Sequence, residues 1–316
     1  MLHSIIIPCY NSAKTIRKAV TLTAQELDKL NRTPYEFVLV EDCTPDGGAT
    51  LAELKALADE FPFVKVVSLA KNSGQHNAVM AGLNHAEGDI LIAMDDDLQT
   101  HPSQLHLLFE EFDKGHDIVY GYYPEKKHSP FRNFGSWVNH IAVRTLIGKP
   151  KDMKTSSFWI IRKYVRDYAV AYKGQYTHLQ GLFLRTTRNI ASVPIKHFER
   201  EVGTSNYTFK KLLKLWSNII GFSVVPLRLA TYMGIFFSAA AIIAAIAVFI
   251  RKLIVPTMAL GWPSMMITLC FFSGLNLLFL GLIGEYIGRM FLGMNKYPQY
   301  VVREVYTSAK EHDSEN

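Results

Sequence analysis

Residues 90–102 read ILIAMDDDLQTHP, and the reading of this stretch decides the fold. Ile90 to Met94 is a short apolar run of the kind that forms a buried strand. Three carboxylates, Asp95, Asp96 and Asp97, follow it without a break. Like charges side by side repel, and an unpaired buried carboxylate is costly. A solvated acidic turn accounts for them as a surface accident, since turns favour Asp. A cation site accounts for them as a device. The ends of the other strands choose between the two.

Working back from Asp95, the chain alternates strands and helices. His3–Ile7 is a β-branched run stopped by Pro8, and Asn11 or Ser12 is placed to cap a helix from about Ala13 to Asn31. Phe37–Val40 reads as a second strand, ending in Glu41-Asp42 and the turn-rich CTPDGG. A helix over 50–60, a strand over 64–69, a helix over 74–85 and the strand 89–94 follow. A helix over 101–114 and a strand over 117–120 close the pattern. Such alternation predicts an α/β fold with a mainly parallel sheet, and these sheets bind ligands beyond the carboxyl ends of their strands. Polar clusters stand at three of those ends: Pro8-Cys9-Tyr10-Asn11, Glu41-Asp42 and Asp95-Asp96-Asp97. That convergence favours a nucleotide and metal site over a chance acidic turn.

The rival for this sheet is a dinucleotide oxidoreductase. Its first strand should run into G-x-G-x-x-G, but here it runs into PCYNSAKT. No G-x-x-x-x-G-K-[ST] loop is present either. With no glycine-rich amide cradle for a diphosphate, a divalent cation on Asp95 and Asp97 is the expected alternative. Carboxylate oxygens suit Mg²⁺ or Mn²⁺.

The chain has 316 residues and 49% hydrophobic content, unevenly spread. Leu229–Ile250 and Met265–Ile283 carry no charge, and each is long enough to cross a hydrocarbon core of roughly 30 Å. Two buried helices of a soluble domain are the rival reading, but soluble helices are rarely apolar all round. Arg228 before the first span, and Arg289, Lys296 and Arg303 after the second, put both ends on the cytoplasmic side. Arg251 and Lys252 argue the other way unless they snorkel to the far interface. MLHSIII lacks the basic start and cleavage site of a signal peptide, so residues 1 to about 225 are expected in the cytosol. The net charge of +6 suits an anionic membrane neighbour. No basic tract interleaved with aromatics in the soluble part supports nucleic-acid binding. Cys9, Cys43 and Cys270 lack metal-ligand spacing and read as reduced thiols.

The motifs PCYN, VEDCTPDGG, KNSGQHNAVMAG, DDDLQTHP and REVGTSNY occur in an order that resembles glycosyltransferase family 2. The resemblance is to the GT-A fold enzymes that act on polyprenyl phosphates, of which dolichol-phosphate mannose synthase is one. The closing GLIGEYIGRM, residues 281–290, is similar to the last span of the bacterial group. That group includes undecaprenyl-phosphate glucosyltransferases and undecaprenyl-phosphate 4-deoxy-4-formamido-arabinose transferase.

The resemblance implies a GT-A nucleotide-diphospho-sugar transferase fold with a C-terminal two-helix transmembrane hairpin. It implies a nucleotide set of Pro8, Tyr10, Asn11, Asp42, Gln75, Asp95 and Asp96. The implied metal set is Asp95, Asp97 and Gln99, holding Mg²⁺ or Mn²⁺. Asp96, Asp97 and Arg200 are the implied catalytic set, although Asp96 stands where relatives often have a small residue. Where relatives often carry an acid, this chain has Lys154-Thr155-Ser156-Ser157-Phe158, with Asp152 nearby.

The implied reaction is inverting transfer from a nucleotide-diphosphate sugar, UDP-glucose or UDP-N-acetylglucosamine, to polyprenyl phosphate. Such an acceptor is already anionic, so positioning and charge neutralisation dominate, with Arg200 clamping its phosphate. Taken alone, Arg200 reads rather as a surface partner of Glu199 or Glu201. YTFKKLLKLWSNIIGF, residues 207–222, mixes lysines with apolar residues as an interfacial helix does.

The expected organisation is a cytosolic catalytic domain over 1–205 and an amphipathic segment over 206–226. A membrane region over 227–291 follows, with helices at about 229–252 and 263–287, and then a cytosolic tail over 292–316. The expected place is the bacterial cytoplasmic membrane, as a multi-pass protein whose catalytic domain faces the cytoplasm. The oligomeric state, a homo-oligomer included, is left open. A processive polysaccharide synthase would carry Q-x-x-R-W and more spans, and no Arg-Trp pair occurs. A catalytically dead scaffold would not need Asp42, Asp95 and Asp97 intact.

Overall fold

The computed structural model describes residues 1–124, 153–174, 177–198, 225–254, 261–294 and 298–308. Eight strands form one sheet: β1 His3–Cys9, β2 Tyr35–Glu41, β3 Val64–Leu69, β4 Ile90–Ala93, β5 Ile118–Tyr122, β6 Trp159–Arg162, β7 Ile190–Pro194 and β8 Val302–Tyr306. Their order is β7-β5-β6-β4-β1-β2-β3-β8. The central strands β4, β1, β2 and β3 run parallel. Strand β6 is antiparallel to both β4 and β5, β7 runs parallel to β5, and β8 closes the far edge antiparallel to β3. The sheet is thus mixed and mostly parallel, with a GT-A-like α/β build.

The helices are α1 Ile16–Lys29, α2 Ala49–Glu60, α3 Gln75–His85, α4 Leu105–Phe112, α5 Lys163–Ala171 and α6 Leu179–Thr186. Two long helices, α7 Val225–Ile254 and α8 Trp262–Met294, precede β8. Successive side chains of a strand point to opposite faces. Ile5, Ile7, Phe37, Leu39 and Ile92 therefore pack on one face with residues of α1, α2 and α4. Ile6, Val38, Val40, Leu91 and Ala93 pack on the other, with residues of α3, α5 and α6. Both faces being covered explains why β1 and β2 read as continuous apolar runs rather than alternating ones.

Helix α3 lies unusually close to β1. A Cβ at Gly82 would sit 2.4 Å from Ile6 Cγ2, so only glycine lets the helix approach this far. The approach sets the N-terminus of α3 against the carboxyl ends of the central strands.

Helix α1 begins at Ile16, later than expected. Its N-cap is Thr15, with no side-chain cap. Neither Asn11 nor Ser12 caps it: Asn11 sits at φ +60°, and Ser12 contributes its carbonyl, which accepts from Thr15 N and Ile16 N at 3.0 Å. The expected tail also supplies structure, since β8 is an integral strand. Gln299 Nε2 donates to Tyr172 O and Gly174 O (2.9 and 2.7 Å), Ala70 N donates to Val301 O (2.8 Å), and Tyr306 OH donates to Asp59 (2.7 Å).

Among the described residues, one stretch, Phe271–Gly288 of α8, is long and apolar enough to cross a membrane. Phe237 of α7 packs edge-on against Phe271 and Phe272 of α8.

Candidate active site

The loops that follow β1, β2, β3 and β4 meet at one edge of the sheet. Asn11 N donates to Thr44 Oγ1 (3.2 Å) and Ser12 N to Thr50 Oγ1 (3.0 Å), tying the β1 loop to the β2 loop and α2. Pro8 pairs across to Val40, and Tyr10 stands exposed just beyond the strand.

The acids ending β2 are buried and held by the protein itself. Glu41 accepts from Thr44 N (2.6 Å) and from Ser68 Oγ (2.9 Å). Asp42 accepts from Ser73 N on one oxygen (2.6 Å) and from Gly74 N on the other (2.9 Å). Gly74 is the N-cap of α3 with φ +83°, a conformation that favours glycine. Asp42 therefore serves the otherwise unpaired N–H groups at a helix start. Burial raises its pKa, and the two N–H donors offset only part of the rise.

At β4 the carboxylates crowd one another. Gln75, the first residue of α3, donates through Nε2 to Asp95 Oδ1 at 2.7 Å, and Ser157 Oγ donates to Asp95 Oδ2. Gln99 N donates to Asp97 Oδ1 (3.1 Å), closing a tight turn in which Leu98 has φ +57°. Asp96 has its pKa pushed up to about 6, chiefly by burial, with the charges of Asp95 and Asp97 adding to the effect. The Ser12 hydroxyl lies beside Asp96 and opposes the shift, although without the geometry of a full hydrogen bond.

The segment before Arg200 docks on this acid turn. Phe198 N donates to Gln99 O (3.0 Å), Gln104 exchanges two hydrogen bonds with the Lys196 backbone, and Tyr123 packs on the His197 ring. Arg200 itself, Asp152 and residues 207–222 lie outside the described residues.

The structure thus brings Pro8, Tyr10, Asn11, Asp42, Gln75, Asp95, Asp96, Asp97 and Gln99 to one edge. Sequence reasoning did not assign Ser157 to the site, although it lies in the stretch that stands where relatives often carry an acid. It also missed the use of Asp42 as a brace for α3. Among the described residues no three His, Cys, Asp or Glu side chains converge as a complete metal cage. Asp95 and Asp97 are a two-carboxylate, hard-oxygen set. That fits a Mg²⁺ or Mn²⁺ ion whose remaining ligands are phosphate oxygens and water.

A mixed, mostly parallel sheet with acids at the strand ends, and no glycine-rich phosphate loop, defines the class: an α/β transferase of the GT-A type. Residues 4–168 match the model of the family described as glycosyl transferase family 2, and the chain belongs to that family as a glycosyltransferase. It is 30% identical over 308 residues to undecaprenyl-phosphate 4-deoxy-4-formamido-L-arabinose transferase of Pseudomonas fluorescens (strain Pf0-1), covering 96% of this chain and 89% of the relative. Among solved structures, glucosyl-3-phosphoglycerate synthase from Mycobacterium tuberculosis, in complex with Mn²⁺ and UDP-glucose, is similar with a TM-score of 0.50 and 16% identity. The match covers 70% of this chain and 78% of that one, and at such identity it speaks for the fold alone.

Proposed function

We propose that this glycosyltransferase moves a sugar from a nucleotide-diphosphate sugar, UDP-glucose first and UDP-N-acetylglucosamine second, to undecaprenyl or a similar polyprenyl phosphate. Configuration inverts at the anomeric carbon, and the product is a lipid-linked sugar for modification of the bacterial cell envelope. One observation carries this reading: near-full-length similarity to a transferase named for undecaprenyl phosphate.

In the proposed site, Pro8, Tyr10 and Asn11 flank the nucleotide from the β1 loop. Asp42 shapes the opposite wall through α3. Asp95 and Asp97, with Gln99 in the same turn, would hold Mg²⁺ or Mn²⁺. The chemistry such an ion supplies when bound is neutralisation of the charge on the departing nucleoside diphosphate. Asp96 adds negative potential beneath that position. Arg200 clamps the acceptor phosphate for in-line attack, because a guanidinium fork matches two phosphate oxygens.

The proposed organisation keeps 1–205 as the main catalytic unit, 206–226 as an interfacial segment, 227–291 as a membrane hairpin and 292–316 on the cytoplasmic side. Parity supports the hairpin. Strand β8 follows α8 yet pairs with β3, so the chain between them crosses a membrane an even number of times. If α8 crosses, α7 crosses too. Exposed apolar side chains on both helices, such as Ile243, Ile246, Leu277 and Leu280, suit a lipid solvent.

The test is a donor screen with the full chain in detergent, undecaprenyl phosphate as acceptor, and glycolipid detected by mass spectrometry. Product from a UDP-sugar is expected. Absence of glycolipid with every nucleotide sugar, while the donor is hydrolysed, would move the acceptor elsewhere.

A further inference from the structure

The antiparallel ladder between β4 and β6 pairs Ile90 with Arg162 and Ala93 with Trp159. Carried two residues past Ala93, the same register sets Asp95 opposite Ser157. The contact follows: Ser157 Oγ donates to Asp95 Oδ2, while Gln75 Nε2 donates to Oδ1 at 2.7 Å. We infer that Ser157 and Gln75 are positioning residues that brace the Asp95 carboxylate as a cation ligand. The inference rests on the cation reading above.

The physical need is clear from the neighbours. Asp95 stands beyond the last hydrogen-bonded residue of β4 and is adjacent to two further carboxylates. Repulsion from Asp96 and Asp97 would swing a free Asp95 side chain away from them. Two donors on its two oxygens oppose that swing.

Both donors are anchored. Gln75 opens α3, whose start is pinned by the bonds from Ser73 N and Gly74 N to Asp42. Ser157 sits between Ser156, whose hydroxyl bonds to Gly121 O and accepts from Phe158 N (3.0 Å), and Phe158, whose carbonyl accepts from Gly121 N (2.9 Å). Both donors are also neutral. A lysine or arginine would hold Asp95 equally well, but would cancel the charge a cation needs. An amide and a hydroxyl orient the carboxylate and leave its charge and its second lone pairs in place.

The experiment is a Mn²⁺ titration of the full chain in detergent, with and without UDP, read by loss of the free-ion paramagnetic resonance signal. Thermal melting is measured in parallel. Ser157→Ala and Gln75→Ala should each weaken Mn²⁺ binding roughly 10-fold at nearly unchanged melting temperature, as for other groups that orient a metal ligand. Ser157→Thr, which keeps the hydroxyl, should restore near-wild-type affinity. Asp95→Ala sets the scale for losing the ligand outright. If Asp95→Ala loses Mn²⁺ while Ser157→Ala binds like wild type, the brace is overturned and the cation reading stands. If Asp95→Ala also binds like wild type, both fall. Failure of Ser157→Thr to restore binding likewise overturns the brace.

Discussion

Glu41-Asp42 at the end of β2 and Asp95-Asp96-Asp97 at the end of β4 flank the same strand, β1, yet they are built differently. At β2 both acids take backbone or buried hydroxyl donors on each oxygen, and the donors belong to the loop before α3, the turn after β2 and strand β3. Those carboxylates organise chain. At β4 the acids face one another's charge, and burial pushes the Asp96 carboxyl up to about 6. Burial and the two neighbouring carboxylates raise it, while the Ser12 hydroxyl and the backbone oppose the rise. One acid cluster is held mainly by backbone amides, and the other by the side chains of Gln75 and Ser157 and the amide of Gln99.

The sharpest way to break this contrast is to cut one acid from each cluster. Asp97→Ala should cut sugar transfer by roughly 100- to 1000-fold, a loss of about 3–4 kcal/mol in the barrier. Melting temperature should hold. A variant that melts early would put Asp97 in the structural class.

Asp42→Ala should do the reverse first. Losing a charged acceptor of two N–H bonds should destabilise the fold by about 2–3 kcal/mol, since bonds to charged groups are the stronger kind. Nucleotide affinity should fall with it, through the loosened start of α3. Chemical denaturation and calorimetry with UDP measure both, and an unchanged midpoint would contradict the bracing role.

Asp96→Asn should stabilise the metal-free protein. A raised carboxyl pKa means that the ionised form is a cost in the folded state. That cost is present in full above about pH 6 and disappears as the wild-type group takes up its proton. The variant should gain about 1–2 kcal/mol at pH 8 in chelator, given a folded-state carboxyl pushed up to about 6. The gain should shrink steadily below pH 6. A constant gain across pH would assign it to packing instead.

The smallest effect belongs to the sheet edge. Lys55 bonds to Glu304 of β8 at 2.9 Å, with both side chains about one-third exposed. Lys55→Met should change stability by less than about 0.5 kcal/mol, as for most exposed ion pairs.

These contrasts mark what could be read from residues alone. β3 was legible to its end residues, and β1, β2, β4 and β5 to within about two residues, because their apolar runs stop at turn-forming or acidic residues. That the strand-end acids share one edge followed from parallel topology. The later strands did not announce themselves. IASVP of β7 is only half-buried, and VREVY of β8 alternates too briefly to be told from a polar tail. The stretch holding Ser157 stood out, but its meeting with Asp95 was not legible, because it depends on the register of two strands about 60 residues apart. The bracing role of Asp42 was not legible, because nothing in VED reveals that both of its oxygens will be met by N–H groups from KNSG.

Strand β8 carries a consequence in time. The chain is synthesised from its N-terminus, so β3 leaves the ribosome with a bare outer edge. The edge stays bare until α7 and α8 have both been made. An open strand edge invites pairing with other chains and attack by proteases. The last strand to appear therefore acts as a seal that only a chain with both long helices already made can apply. A chain that stops before β8 keeps that edge open to pairing and to proteolysis.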